Sequence, residues 1–320
     1  MVKISRFFKR RLRTLIFFVT TKCPLKCKHC FYTKELNNSQ VKELSLKEIE
    51  KISNNLPYLE YLQLSGGEPF ARDDITEIAE IFFRRGLKKL IIPTNGYLQE
   101  SAIKQARKMK EKGYNFSINV SIDGFEETHN SIRGKNCFNR ALETFDKLKE
   151  MKVETGFIVS LSKLNYEGYL DLIKFLKKRT NNIDSVLVRA KPGIMLTADE
   201  FNKIRPELER LTCDHLSKFY QQRKKLLNNV YCNVINGKPV PYKCLAGKII
   251  AVLEPDGQVR SCEIFGKLGN VRDYNYDINK ILKLDKIPRR CKDCIHPCFL
   301  GPSMSYSITW LTKNIISQYV

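Results

Sequence analysis

The chain has 320 residues, 42% of them hydrophobic and 28% charged, which is ample for one large α/β domain and a smaller one. Lysine and arginine outnumber aspartate and glutamate by 56 to 34, and the net charge of +22 favours acidic partners such as nucleic acid, anionic lipid or an acidic substrate. No run approaches the ~18 consecutive apolar residues of a membrane span, and eleven cysteines in so long a chain do not suit a disulfide scaffold.

The chain opens on KISRFFKRRLR, six basic residues interleaved with Phe7, Phe8 and Leu12. Residues 1–13 read as a solvated basic extension, with a short amphipathic surface helix as the other reading. The apolar TLIFFVTT that follows is short, lacks a small-residue cleavage site and runs straight into cysteines. It reads as a buried strand, and the protein as cytoplasmic. The remaining charge is spread over lysine-rich helices with no nucleic-acid-binding motif, so nucleic acid is not the expected partner.

From residue 14 to 193 a strand-length apolar run repeatedly gives way to a loop and a charged amphipathic segment. The strands read as TLIFFVTT, EYLQLSGG, KLIIPTNG, FSINVSIDG, TGFIVSLS and DSVLVRAKPG. Segments such as DITEIAEIFFRRG and FNRALETFDKLKEM between them carry apolar residues at three- and four-residue spacing. This alternation implies parallel strands with right-handed crossovers. Six units are too few for a closed eight-fold barrel, so the expected fold is α/β, a partial (β/α)6 TIM-like barrel over residues 14–230. A long helix is expected over PELERLTCDHLSKFYQQRKKLL, then a hairpin over KIIAVLEPDGQVRSCEI turning at Asp256-Gly257. The cysteine-rich tail shows little helical periodicity. Residues 231–320 are expected to form a small second domain.

In such folds chemistry sits at the C-terminal ends of strands. Four unrelated motifs fall there: Cys23, Cys27 and Cys30 after the first strand, Gly66-Gly67-Glu68-Pro69 after the second, Thr94-Asn95-Gly96 after the third and Ser121-Ile122-Asp123-Gly124 after the fourth. Eight of the eleven cysteines lie in two groups, 23, 27, 30 and 244, 262, 291, 294, 298. Clustered thiols point to metal. Structural zinc sites close with four ligands, whereas three thiolates on an iron–sulfur cube leave one iron open, the mark of a catalytic site. His29 is a candidate fourth ligand but would have to turn inward with its neighbours. Cys137, Cys213 and Cys232 stand alone and read as structural.

Cys23-x3-Cys27-x2-Cys30 followed by the GGEP motif at the next strand end resembles the radical S-adenosylmethionine (radical SAM) superfamily, over roughly the first 200 residues. The resemblance implies a 4Fe-4S cluster on Cys23, Cys27 and Cys30 whose open iron is chelated by S-adenosylmethionine. Reductive cleavage of that cosubstrate gives a 5′-deoxyadenosyl radical that abstracts hydrogen from a substrate. It also implies an external one-electron donor of flavodoxin or ferredoxin type. Gly66, Gly67, Glu68 and Pro69 would line the methionine amino group, Glu68 as an acceptor. Thr94, Asn95, Ser121 and Asp123 would lie near the methionine moiety and ribose, and Arg133 is the candidate for the carboxylate. His129 reads as structural. The family's aromatic before the third cysteine, which packs near adenine, is His29 here, followed by Phe31 and Tyr32; Phe31 joins the candidate cofactor-binding set.

The C-terminal pattern resembles the auxiliary-cluster extension called SPASM, or its short form Twitch, in Cys244-Leu245-Ala246-Gly247, the hairpin and Cys262 closing it. Five cysteines instead of seven imply one complete auxiliary Fe–S cluster, assigned to Cys244, Cys262, Cys291 and Cys294. Cys298 could replace one of these or hold an incomplete second cluster with Cys232 or His296. A four-thiolate zinc knuckle is the alternative. Glu263, directly after Cys262, is the candidate base, as in the sulfatase-maturase group. The resemblance implies modification of a peptide or protein side chain, with any leader peptide read by a separate binding protein because the motif begins at residue 23. The second reading is a small-molecule substrate: a sugar alcohol, a tetrapyrrole or a cofactor precursor. The GTP-cyclising enzymes share the short tail form but end in a double glycine, where this chain ends ISQYV. The third is a non-catalytic iron–sulfur electron carrier.

Overall fold

The computed structural model describes residues 11–189, 191–213, 218–238, 240, 244–284 and 297–305. Strand β1 (Thr14–Thr20) has six of its seven residues buried. That continuous apolar run marks a strand covered on both faces and paired on both edges. It pairs in parallel with β2 (Tyr61–Gly66) on one side and β7 (Ile250–Leu253) on the other. Strands β3 (Lys89–Thr94), β4 (Phe116–Ser121), β5 (Glu154–Leu161) and β6 (Ile183–Leu187) continue the sheet in parallel, and β8 (Gln258–Arg260) and β9 (Gly269–Asn270) add antiparallel after β7. The order is β6-β5-β4-β3-β2-β1-β7-β8-β9. Six successive parallel strands with helical crossovers form the expected partial barrel.

Helices α1 (Leu46–Asn55), α2 (Ile75–Phe83), α3 (Gln99–Glu111), α4 (Glu126–Arg133), α5 (Phe138–Glu150) and α6 (Tyr169–Lys177) fill the crossovers. Their apolar stripes bury against the sheet, as Ile49 and Ile52 of α1 and Leu172, Ile173 and Leu176 of α6 do. A capping box at Ser45 and Glu48 starts α1.

Three features depart from the sequence reading. The basic extension ends inside the fold, because Leu12 is buried and Arg13 pairs with Glu60 at 2.7 Å; residues 1–10 lie outside the described residues. The single long helix is replaced by two, α7 (Ala198–Cys213) and α8 (Lys218–Ile235). They lie antiparallel: Asn228 donates to Glu209 at 3.0 Å, and the Cys232 thiol meets Asn202 at 3.2 Å. One straight helix would leave Ile204 and Leu208 apart from Val230 and Val234; folding back buries all four. The tail is helical at α9 (Ile278–Leu282) and α10 (Pro297–Ser305). In α10 Phe299, Leu300, Gly301 and Ser303 are all buried, so no alternating stripe betrays it. The hairpin at Asp256-Gly257 forms as expected, Gly257 supplying a φ of +86°. Strand β7 lies on the free edge of β1, so this hairpin extends the barrel sheet.

Candidate active site

The loop carrying the three cysteines leaves the C-terminal end of β1 and is clasped from three directions. From β2, the Gly67 N–H donates to the Thr20 carbonyl at 2.8 Å and the Glu68 N–H to the Lys22 carbonyl at 2.7 Å. A Cβ on Gly67 would stand 2.3 Å from the Lys22 oxygen, and one on Gly66 2.5 Å from the Thr20 oxygen. The glycines are thus needed for the close approach of β2 to the cysteine loop itself. From α4, the carbonyls of Ile132 and Arg133 accept the N–H groups of Lys28, at 2.8 Å, and Lys26, at 3.3 Å. From within the loop, Asn37 accepts from the Cys23 N–H at 2.9 Å and returns a hydrogen bond to the Cys23 carbonyl at 3.1 Å.

Glu68 is buried, and its carboxylate accepts from the Thr94 hydroxyl at 2.8 Å, the Asn95 N–H at 2.8 Å and the Phe70 N–H at 3.2 Å. The expected acceptor for a methionine amino group therefore already joins the ends of β2 and β3. Burial pushes its pKa up to about 7 against the pull of those three donors. Asn95 in turn points its amide nitrogen at the Cys23 sulfur, 3.8 Å away.

Asp123 is fully buried and forms an ion pair with Arg133 at 2.6 Å, while its other oxygen accepts from the Ser160 N–H at 2.8 Å. Arg133, the candidate for the cosubstrate carboxylate, also reaches the Cys27 sulfur at 3.9 Å. His129 accepts the Asp123 N–H on Nδ1 at 3.1 Å, which leaves the proton on Nε2, 3.4 Å from the Cys137 sulfur. Burial, then the Arg133 charge, hold its pKa down to about 4. His29 turns Nε2 toward Asp123 at 3.7 Å, and its buried Nδ1 has no hydrogen-bond partner in the described residues.

Cys23, Cys27 and Cys30 open onto one cavity of about 1050 Å³. Gly66, Gly67, Glu68, Thr94, Asn95, Ser121, Arg133 and Phe31 line it too; Asp123 and Pro69 lie behind that wall. Glu263 and Cys298 also line the cavity, whereas Cys244 and Cys262 do not. Cys262 packs beside Phe18, Tyr32 and Phe299, with Cys298 against the same group. Cys244 lies 4.0 Å from the Ser303 hydroxyl of α10. Cys291, Cys294 and His296 lie outside the described residues. Cys232 is held by Asn202 and Arg205 in the helical hairpin. Cys137 is buried against His129. Arg189, just past the end of β6, was not picked out from the sequence. It pairs with Glu263 and lies over the Phe31 ring, 4.9 Å from its centroid. Its place after the sixth strand was the available signal.

Burial pushes the Cys23 thiol up to about 12 and raises Cys27 as well. Such thiols ionise when a metal supplies positive charge. Among the described residues no three His, Cys, Asp or Glu side chains converge closely enough for a single metal ion. A cube uses a different iron for each thiolate, so its ligands stand farther apart. Three unbridged thiols on one cavity, with amide and guanidinium donors beside two of the sulfurs, fit a cluster.

The radical SAM superfamily model matches residues 17–176, and the chain belongs to that superfamily. It is an enzyme family whose cofactors are a 4Fe-4S cluster and S-adenosylmethionine. The chain is 31% identical over 165 residues to the Fe-coproporphyrin III synthase of Methanosarcina barkeri, covering 51% of this chain and 40% of that one. It is 30% identical over 181 residues to the GTP 3′,8-cyclase of a Synechocystis species, covering 53% and 52%. The chain thus spans about half the length of these curated relatives. Its fold is shared with the solved structure of anSMEcpe with bound AdoMet and the Cp18Cys peptide, at a TM-score of 0.57, 19% identity and coverage of 95% and 98%. No described helix is long and apolar enough to cross a membrane.

Proposed function

We propose that this chain is a radical SAM enzyme that modifies or oxidises a side chain of a peptide or protein, assisted by an auxiliary iron–sulfur cluster on its C-terminal cysteines. The observation that carries the reading is the single cavity running from the three-cysteine loop to Glu263 and Cys298. At about 1050 Å³ it exceeds what one small molecule usually fills, leaving room for a substrate beside the cosubstrate. Bound on Cys23, Cys27 and Cys30, the cluster would supply the electron that cleaves S-adenosylmethionine to the hydrogen-abstracting 5′-deoxyadenosyl radical.

The chain's own residues orient and shield. Asn95 and Arg133 donate toward the sulfurs of Cys23 and Cys27. Phe31 and Ser121 line the wall where the adenosine half would lie. Asn119 offers a buried amide oxygen with no hydrogen-bond partner in the described residues, an acceptor for a polar substrate group. Glu263, paired with Arg189, is the base that would take the proton as the substrate radical gives its electron to the auxiliary cluster. The peptide-bound neighbour of the same fold supports this reading. The second reading, a small-molecule substrate, is supported by the coproporphyrin and GTP enzymes among the relatives.

The test is 5′-deoxyadenosine formation by anaerobically reconstituted protein with dithionite and S-adenosylmethionine, with and without peptides encoded beside its gene. Stimulation by a peptide, with a mass change in it, supports the reading. Stimulation only by a tetrapyrrole or a nucleotide transfers it to the second. Glu263→Gln is expected to keep cosubstrate cleavage while product falls about a hundredfold or more.

A further inference from the structure

We infer that the outer edge of β6 is a docking site for an extended peptide, which adds beside it as one more strand and is thereby led to the three-cysteine loop. This deepens the peptide reading above and rests on it.

On the inner face of a sheet, alternate residues line a cavity, as Asn119 and Ser121 of β4 and Ile158 and Ser160 of β5 do here. Along β6 the pattern breaks: residues 180–189 line the cavity without a gap. Asp184 and Val186 sit opposite Ile158 and Ser160, so they share the inward face; Ser185 and Leu187 sit opposite Val159 and Leu161 and face the helices. Residues of both faces can line one cavity only where it runs along the strand's edge.

That edge carries backbone groups. The Val188 N–H donates to Leu161, and the Phe157 N–H donates to the Asn182 carbonyl. In a parallel ladder a residue's N–H and C=O point to the same side, so the even-numbered residues serve β5 and the odd-numbered ones point outward. The Ile183 N–H turns back onto Asn181. Ser185 and Leu187 then present N–H and C=O outward, and no described residue hydrogen-bonds to them. β6 is the terminal strand of the sheet. Open edges are ordinarily blocked or covered; this one faces a cavity roofed by Leu208 of α7, Leu227 and Tyr231 of α8, and Gly301 of α10. An alternating row of donors and acceptors is complementary to another extended backbone. The row ends at Arg189, which lies over Phe31 beside Cys30, so a strand laid along it reaches the reaction centre.

The experiment uses the reconstituted full chain and a displayed library of random dodecapeptides, the strongest resynthesised binder serving as probe. Ser185→Pro deletes one outward N–H while leaving the β5 ladder, since proline is accepted at edge positions; Ser185→Ala keeps that N–H. Affinity is expected to fall about tenfold in Ser185→Pro and to stay within about twofold in Ser185→Ala. N-methylation of alternate probe amides tests the peptide side and needs no protein variant. One alternate set should abolish binding and the other spare it. Hydrogen exchange should show the Ser185 and Leu187 amides fast in the free protein and protected by the probe. Equal sensitivity to both methylation sets, slow exchange of the two amides in the free protein because another part of the chain covers them, or failure of any peptide to bind would each overturn the proposal. A peptide that drives 5′-deoxyadenosine formation equally in wild type and a folded Ser185→Pro variant would overturn edge docking alone and leave the peptide reading standing. Stimulation only by a small molecule would remove both.

Discussion

Cys27 and Cys262 lie near the same cavity, but different kinds of structure hold them. Cys27 sits in a loop whose neighbours are hydrogen-bonded by β2, by the C-terminus of α4 and by Asn37, all within the first 134 residues. Cys262 follows a hairpin that leans on β1, and its companions Cys244 and Cys298 arrive from separate segments, joined where the Leu245 N–H donates to Ser303 of α10 at 2.9 Å. The first cysteine group is organised by the barrel; the described cysteines of the second are brought near one another by long-range contacts. Tyr32, two residues after Cys30, donates to Glu254 at 2.7 Å, and Glu254 pairs with Arg260, two residues before Cys262. That chain, buried at Tyr32 and Glu254 and half-buried at Arg260, is where the two halves share support.

The comparison can be broken from the barrel side. Asp123→Asn leaves Arg133 buried without its counter-charge and should cost about 3–5 kcal/mol. Thermal melts should show the loss, and cosubstrate cleavage should fall as the Arg133–Cys27 contact loosens, while iron on the C-terminal cysteines stays. Loss of C-terminal iron as well would mean that the two sites are one cooperative unit.

A smaller effect comes from His129. Its folded pKa of about 4 lies below the ordinary 6.5, so it adds stability above pH 6.5 that is lost as pH falls toward 4. The full window corresponds to about 3 kcal/mol at most. The melting-temperature advantage of wild type over His129→Gln should grow as pH rises from 4 to 6.5 and stay constant above that; a difference that does not change between pH 4 and 6.5 would show that His129 does not titrate with folding.

Gly67→Ala sharpens the account further. Its methyl would meet the Lys22 carbonyl, so β2 and the cysteine loop must separate, at a cost of about 1–3 kcal/mol. Cluster loading at the first site should fall more than the melting temperature suggests. Unchanged loading would show that the close approach of β2 does not set the cysteine geometry.

The barrel was legible in the sequence because its strands are apolar runs of strand length and its helices carry regular stripes. The convergence of the motifs on one cavity was legible because β-strand ends collect them, and the cysteine spacing is local. Three things were hidden. The fold-back of α7 and α8 depends on which apolar faces meet, and each helix alone has an ordinary stripe. In helix α10 the buried residues Phe299, Leu300, Gly301 and Ser303 follow no periodic pattern. The partners of Glu68 and Asp123 are tertiary: nothing in GGEP says that its carboxylate will join Thr94 and Asn95, or in SIDG that its aspartate will turn inward onto Arg133. Arg189 was in plain view after the sixth strand, but a lone arginine in VLVRAKPG carries no spacing signal.

The most direct test is cosubstrate cleavage and iron content in a protein with Cys23, Cys27 and Cys30 all changed to alanine. Anaerobic reconstitution should leave about four irons, those of one cube on four thiolates, and 5′-deoxyadenosine should fall to background. Continued 5′-deoxyadenosine formation by that protein would contradict the assignment of the three-cysteine loop as the reaction centre.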